Sequence, residues 1–202
     1  MIRLRLTSQH SLRSSKGFTL LEVMIVLMII GLMLGMATLS TSGNEQKREA
    51  QQQGLRLIAQ LDAYRDEAVF QNLDLGLAMD NQSTQLLSYV DINSPTQTTG
   101  KTKEELSDLK KNPWAAYEGN LKGSSDFPEQ FSIALMLDDK NIDFNDLITD
   151  DEGVKPAILF LSSDEYTPFK LTLQHEHDES FSIFIEGDGF SRFEMTTEQY
   201  EQ

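Results

Sequence analysis

One apolar run constrains this chain more than any other stretch of it: residues 18–39, FTLLEVMIVLMIIGLMLGMATL, hold a single charge, Glu22. As a helix rising about 1.5 Å per residue it would extend roughly 33 Å, enough to cross a bilayer core. Arg3, Arg5, Arg13 and Lys16 precede it with no acid among them, and the next charges, Glu45, Lys47 and Arg48, come well after it. That cationic bias places the N-terminus in the cytoplasm and the bulk of the chain on the far side of a single-pass membrane segment.

Gly17 stands before the apolar run, whereas an ordinary secretory signal places its small-residue cleavage site after a shorter one. A cut after Gly17 removes the basic leader and leaves the apolar segment attached. Glu22 then needs a partner, because a carboxylate within a spanning helix costs on the order of 2.5 kcal/mol or more unless it reaches water or a counter-charge. The amine created on Phe18 is mostly cationic at neutral pH and lies one helical turn from Glu22 in its own chain. Between staggered helices, the amine of one subunit meets Glu22 of its neighbour. Such a pair sets register more than it adds stability.

Lys16-Gly17-Phe18-Thr19-Leu20-Leu21-Glu22, followed at once by a long apolar helix, resembles the processing and assembly signature of type IV pilins and type II secretion pseudopilins. The resemblance implies cleavage between Gly17 and Phe18 by a prepilin peptidase of the bacterial inner membrane, N-methylation of Phe18, and a role for Glu22 in aligning subunits. Toward the C-terminus, Ala157-Ile-Leu-Phe-Leu-Ser-Ser-Asp-Glu-Tyr-Thr-Pro-Phe169, Leu171-Thr172-Leu173 and Gly187-Asp188-Gly189 resemble the H-type minor pseudopilins of the GspH/FimT family. Type IV pilus minor pilins of the FimT and FimU kind are the neighbouring alternative, while the K-type is disfavoured because it commonly lacks the carboxylate present here as Glu22. Membership implies a subunit that waits in the inner membrane and joins a short periplasmic pseudopilus near its tip. There it would help move folded proteins toward an outer-membrane secretin. The implied partners are other major and minor pseudopilins, the prepilin peptidase, the inner-membrane secretion platform, secreted substrates and the secretin, with a cytoplasmic ATPase supplying the energy.

The rest of the chain fits an exported subunit. Its net charge of −15 becomes −19 once the four leader cations are set aside, which disfavours nucleic acid as a partner. With no cysteine there is no disulfide framework. The pattern predicts a leader at 1–17, a transmembrane helix at 18–39, its amphipathic continuation at 40–72 and one β-rich periplasmic domain at 73–202. In the continuation, Leu57, Ile58, Leu61, Tyr64 and Ala68 form a helical stripe opposite Gln60, Asp62, Arg65 and Asp66. Gly43 and Gly54 are weak points at which a bend or local melting is expected. Gly31 and Gly35 form a GxxxG pair, read equally as close helix contact or as glycine tolerated in lipid.

Strands are expected at 75–79 and 86–90 around a turn at 80–83, then at 131–137, 157–161, 169–173, 181–185 and 190–194. The last pair is joined through Gly187-Asp188-Gly189. Residues 93–125 read as a long insertion with a short helix at 103–111, in which Trp114 and Tyr117 anchor the loop to the core. A long N-terminal helix packed on an antiparallel C-terminal sheet is an α+β, pilin-like plan.

Chemistry is sparse. His175-Glu176-His177-Asp178 sets its imidazoles and its acids on opposite sides of an extended segment, so a solvated turn is preferred to a metal site. Asp139-Lys140-Asn141-Ile142-Asp143-Phe144-Asn145 copies the opening of a calcium loop, but Phe144 occupies the position that demands glycine, and Asp150 replaces the usual bidentate Glu. No phosphate loop, no nucleophile elbow and no cofactor motif is present, and the histidines are only His10, His175 and His177. A structural assembly subunit is expected rather than an enzyme. The alternative from another class is a membrane-anchored periplasmic binding module using its acidic face for calcium or a cationic ligand.

Overall fold

The computed structural model describes residues 19–149 and 153–200, apart from the side chains of 35–44, 146, 148 and 149. The leader, Gly17 and Phe18 lie outside the described residues. Two compact units divide near Ser42 and Gly43.

Helix α1 runs Leu20–Gln71 without a break, so the melting expected at Gly43 and Gly54 does not occur. In the first unit the described apolar side chains from Leu20 to Leu34 are exposed on every face of the helix, and nothing lies within 4 Å of a Cβ built on Gly31. In the second unit the helix follows its stripe: Leu57, Leu61, Tyr64 and Ala68 are buried, joined by Ala50 about two turns further back. Gly54 is where the helix comes nearest a sheet, since a Cβ there would sit 2.8 Å from Met195 Sδ and 3.2 Å from Ile183 Cγ2. Close approach, not flexibility, explains this glycine.

After α1 the chain forms β1 (Leu75–Met79) and β2 (Ser83–Tyr89), paired antiparallel around the expected turn. The Asp80 carboxylate accepts from the N–H groups of Gln82 and Ser83 and so closes it. A single turn, α2 (Pro95–Thr98), precedes α3 (Lys103–Lys111), which starts on a reciprocal cap between Thr102 and Glu105. The insertion also contributes strands: β3 (Trp114–Ala116) and β4 (Ser124–Asp126) both pair with β2.

Next come β5 (Phe131–Leu137), β6 (Lys140–Asn141), a 3-10 turn (Phe144–Leu147), and the two-stranded ribbon of β7 (Ile148–Thr149) and β8 (Gly153–Val154). The chain ends with β9 (Ile158–Phe160), β10 (Phe169–His175), β11 (Asp178–Gly187) and β12 (Glu194–Gln199).

The plan is α+β as expected, with the strands distributed over two five-stranded sheets. One has the order β3-β2-β1-β9 with β4 beside β2, and the other β12-β11-β10-β5-β6. Register builds the core of the second sheet directly: Leu135 sits opposite Leu171, Leu171 opposite Ile185 and Ile185 opposite Met195. Alternation therefore holds, and one face of this sheet packs with α1 in a single apolar cluster.

The first sheet is buried on both faces at β1, where all five residues are buried. The insertion and the segment just before β9 together supply the second cover. Trp114 and Pro156 close over Gly76, where a Cβ would lie 2.9 Å from Trp114 Cζ3 and 2.5 Å from Pro156 Cβ. Both neighbours are rigid rings, so Gly76→Ala is expected to destabilise the fold by about 1–3 kcal/mol. Gly54→Ala meets only the flexible end of Met195 and the Ile183 methyl, so it should cost less. Urea unfolding midpoints of the two purified variants, compared in one detergent, check this order; equal midpoints would refute it.

Candidate functional site

The processing junction at Gly17 and Phe18 is undescribed, so the described part of the assembly signature begins at Thr19. The Thr19 hydroxyl accepts the Glu22 N–H at 3.3 Å, and the Thr19 carbonyl accepts from Glu22 and Val23. Thr19 is thus the N-cap of α1, with Glu22 three residues on, where the partial positive charge of a helix N-terminus favours an acid. The T-x-x-E spacing that opens α3 at Thr102 opens α1 as well. That signal was available in the sequence and the assembly reading passed over it.

Around Glu22 the surface is apolar: Leu20, Leu21, Val23 and Met24 are all exposed. Between Thr19 and Asn44 it is the only charged residue. A helix that is apolar all round requires apolar surroundings, either lipid or other helices. Among the described residues no helix is long and apolar enough to cross a membrane. The described side chains of the run end at Leu34, inside the stretch 18–39 expected to span.

A second constellation gathers the C-terminal residues that carry the H-type resemblance. Arg65, assigned by periodicity to the solvent face, is instead largely covered and reaches three groups. Its Nε meets Asp164 Oδ1 at 2.8 Å, while Nη1 and Nη2 donate to the carbonyls of Ser191 and Phe190 at 2.8 and 2.7 Å. The guanidinium also lies 5.1 Å from the ring centroid of Tyr166. Asp188 accepts from the N–H groups of Ser191 and Phe190, which hold its carboxyl well below the usual range. Buried Tyr166, whose hydroxyl pKa burial pushes up, places its oxygen 2.9 Å from the Ser191 carbonyl and 3.2 Å from Asp188.

The glycines of the motif have separate reasons. Gly189 has φ +100°, and a Cβ on Gly187 would lie 2.6 Å from the Tyr166 ring. On the other side, the N–H and hydroxyl of Ser162 both donate to Asp74. The motif is therefore a clasp that ties two loops to α1.

The clasp also moves the last strand. The hairpin expected at 190–194 is displaced to Glu194–Gln199, because Asp188 and Arg65 take the backbone groups of Phe190 and Ser191 that a ladder would need.

Two other candidates resolve into packing. His175, expected in a solvated turn, is buried with its ring edge-on to Phe131 at 5.3 Å, and its Nδ1 accepts the His177 N–H. Phe144, at the calcium-loop position that wants glycine, is buried in the core, while Asn145 turns onto the Asp143 carboxylate. Among the described residues no group of three His, Asp or Glu side chains is disposed to hold a metal. Trp114 and Tyr117 do anchor the insertion. Trp114 stacks edge-on with Tyr89, and the Tyr117 hydroxyl, its pKa pushed up to about 12 by burial and by Glu67, donates to the Glu67 carboxylate on α1.

Residues 12–38 match the family described as the prokaryotic N-terminal methylation motif. Type II secretion system protein H of Pseudomonas aeruginosa is 29% identical over 179 residues, covering 89% of this chain and 94% of that protein. The protein of the same name from Aeromonas hydrophila is 25% identical over 193 residues, covering 92% and 96%. The solved minor pseudopilin EpsH from the type 2 secretion system of Vibrio cholerae, 14% identical, superposes with a TM-score of 0.48 over 75% of this chain and 97% of that one. The chain thus carries a stretch that matches the prokaryotic N-terminal methylation motif and is similar along most of its length to type II secretion system protein H.

Proposed function

We propose that this chain is a minor pseudopilin subunit of the type II secretion pseudopilus, assembled near its tip to help export folded proteins across the outer membrane. The observation that carries the reading is Glu22, one acid in the first turn of a helix whose other described side chains are apolar and exposed as far as Leu34. It lies inside the stretch that matches the N-terminal methylation motif. In this reading a prepilin peptidase cuts between Gly17 and Phe18, Phe18 is N-methylated, and its amine pairs with Glu22 of a neighbouring subunit. Residues 18–39 cross the inner membrane with the N-terminus cytoplasmic, 40–72 continue the helix, and 73–202 form the periplasmic domain.

Its partners are other pseudopilins, the inner-membrane platform and, at the tip, secreted substrates and the secretin. The role is structural, not enzymatic. The names of the relatives, which match over nine-tenths of the chain, favour secretion over a pilus-priming role.

Mass spectrometry of the protein from peptidase-competent cells tests the first step. The mature chain is expected to begin with N-methylated Phe18. An intact leader in those cells would refute the reading.

A further inference from the structure

The strands that end the two sheets carry backbone groups with no ladder to join, and they differ in how those groups are used. In the first sheet β3 has three residues, and the Asn112 side chain accepts its first N–H. Strand β9, also of three, is covered along its outer side, where the Thr167 N–H donates to the Leu159 carbonyl and the Leu161 N–H to that of Glu165. The second sheet ends in β6, of two residues, and in β12, of six. Strand β12 is the long edge, and it is open. The Tyr200 N–H donates to the Ser180 carbonyl at 2.7 Å, in register with the pairing of β11 and β12. Antiparallel alternation then gives the backbone groups of Glu194, Thr196 and Glu198 to β11 and turns those of Met195, Thr197 and Gln199 the other way. Among the described residues, the N–H and carbonyl groups of these three residues bond to no other strand, loop or side chain.

The strand holds no proline and no lysine, and its pairing with β11 runs without a bulge. What guards the edge is a pair of acids. Exposed Glu194 and Glu198 share one face with Thr196 and half-exposed Tyr200, opposite the face on which Met195 packs against the core. Two cations lie on or near the acidic face, and neither forms an ion pair with these acids among the described residues. Lys170 is engaged by Glu186 at 2.6 Å, and Arg192 precedes the strand and lines a cleft with Glu194. Pairing with the β12 of a second copy would bring acids against acids with no cation in either strand. We propose that β12 is a strand-addition site whose outer edge takes up an extended segment of another protein. That segment carries lysine or arginine on the face beside Glu194 and Glu198, and β-branched residues on the face beside Met195 and Thr197. The site belongs to the globular part and stands whether or not Glu22 guides assembly.

Hydrogen exchange resolved to single amides tests it, on the full-length chain in detergent with a short blocked peptide that alternates lysine and valine. Exchange at Met195, Thr197 and Gln199 is expected to slow roughly tenfold at saturating peptide, while Thr196 and Glu198, whose amides already serve β11, stay unchanged. The same peptide with glutamate for lysine should bind roughly tenfold more weakly, and E194K/E198K should reverse that preference. Thr197→Pro removes the central outward N–H and leaves the ladder residues on either side of it. Binding should fall roughly tenfold. Should Thr197→Pro fail to fold, the charge-reversed variant decides.

Three results would overturn the proposal: no slowing at Met195, Thr197 and Gln199 with millimolar lysine peptide, equal binding of both peptides by parent and E194K/E198K, or protection of those amides that rises with protein concentration in the absence of peptide. The last would make a second copy the occupant.

Discussion

Glu22→Ala is expected to abolish incorporation into the pseudopilus while leaving membrane insertion and leader removal intact. The two effects separate because they depend on different properties of the same residue. Insertion depends on the apolar character of 18–39, and an alanine there is easier to place in lipid than a carboxylate. Assembly in the proposed scheme depends on a counter-charge for the Phe18 amine, and removing one member of a desolvated ion pair costs about 3–5 kcal/mol, a factor of a hundred or more in association. Glu22→Asp keeps the charge on a shorter stem and should recover part of the loss, whereas Glu22→Gln, which keeps the shape without the charge, should not. Secretion of a reporter exoprotein measures assembly, and quantitative immunoblotting of membranes measures insertion. Equal secretion by the alanine variant and the parent would remove the pairing from the scheme.

Thr19 offers a control within the same turn. Its hydroxyl caps the helix by accepting the Glu22 N–H, so Thr19→Ala frays the first turn at a cost of about 1 kcal/mol without touching the charge. If helix geometry alone were what Glu22 served, both variants would behave alike.

The elements the sequence revealed are those whose signal is local. The stripe from Leu57 to Ala68 has one period and one partner, the core, and every member of it except half-buried Ile58 is buried. Alternation in β10 and β11 was visible because one face of their sheet meets the core and the other meets water. Helix α3 falls within the bounds expected of it, and Thr102 and Glu105 fix its start by a local reciprocal cap.

The features that stayed hidden depend on distant residues. Strand β4 is Ser-Ser-Asp, with no apolar pattern, and exists because β2 offers it a backbone ladder. Gly54 looked like a helix weakness because the β11 and β12 side chains it admits are far away in sequence. His175 looked solvated because nothing near it announces Phe131. The candidate site was legible at Glu22, where a charge interrupts lipid-like side chains, and illegible at Arg65, whose targets lie 99 to 126 residues downstream.

That distance makes Arg65 a residue whose loss should be felt in two loops of the globular part at once. Arg65→Ala is expected to lower stability by roughly 2–4 kcal/mol, since charged hydrogen bonds to Asp164 and to the carbonyls of Phe190 and Ser191 disappear together. For a chain of this size that is a fall in unfolding temperature of about 5–15 °C. Its side chain is only 12% exposed, so the guanidinium is better shielded from water than a typical surface ion pair, while Asp164 at 60% is not, and the Asp164 bond is accordingly the weakest of the set.

Arg65→Lys should recover little, because one ammonium cannot serve three acceptors arrayed around a planar fork. Asp164→Ala should cost far less than Arg65→Ala, leaving both carbonyl bonds in place. Hydrogen exchange gives the local readout: the Phe190 and Ser191 amides, held by Asp188, should exchange faster in Arg65→Ala, while those of β10 and β11 keep their protection relative to global unfolding. An unchanged melting temperature, or loosening spread evenly through both sheets, would mean that the clasp is held by Tyr166 and Asp188 without the arginine.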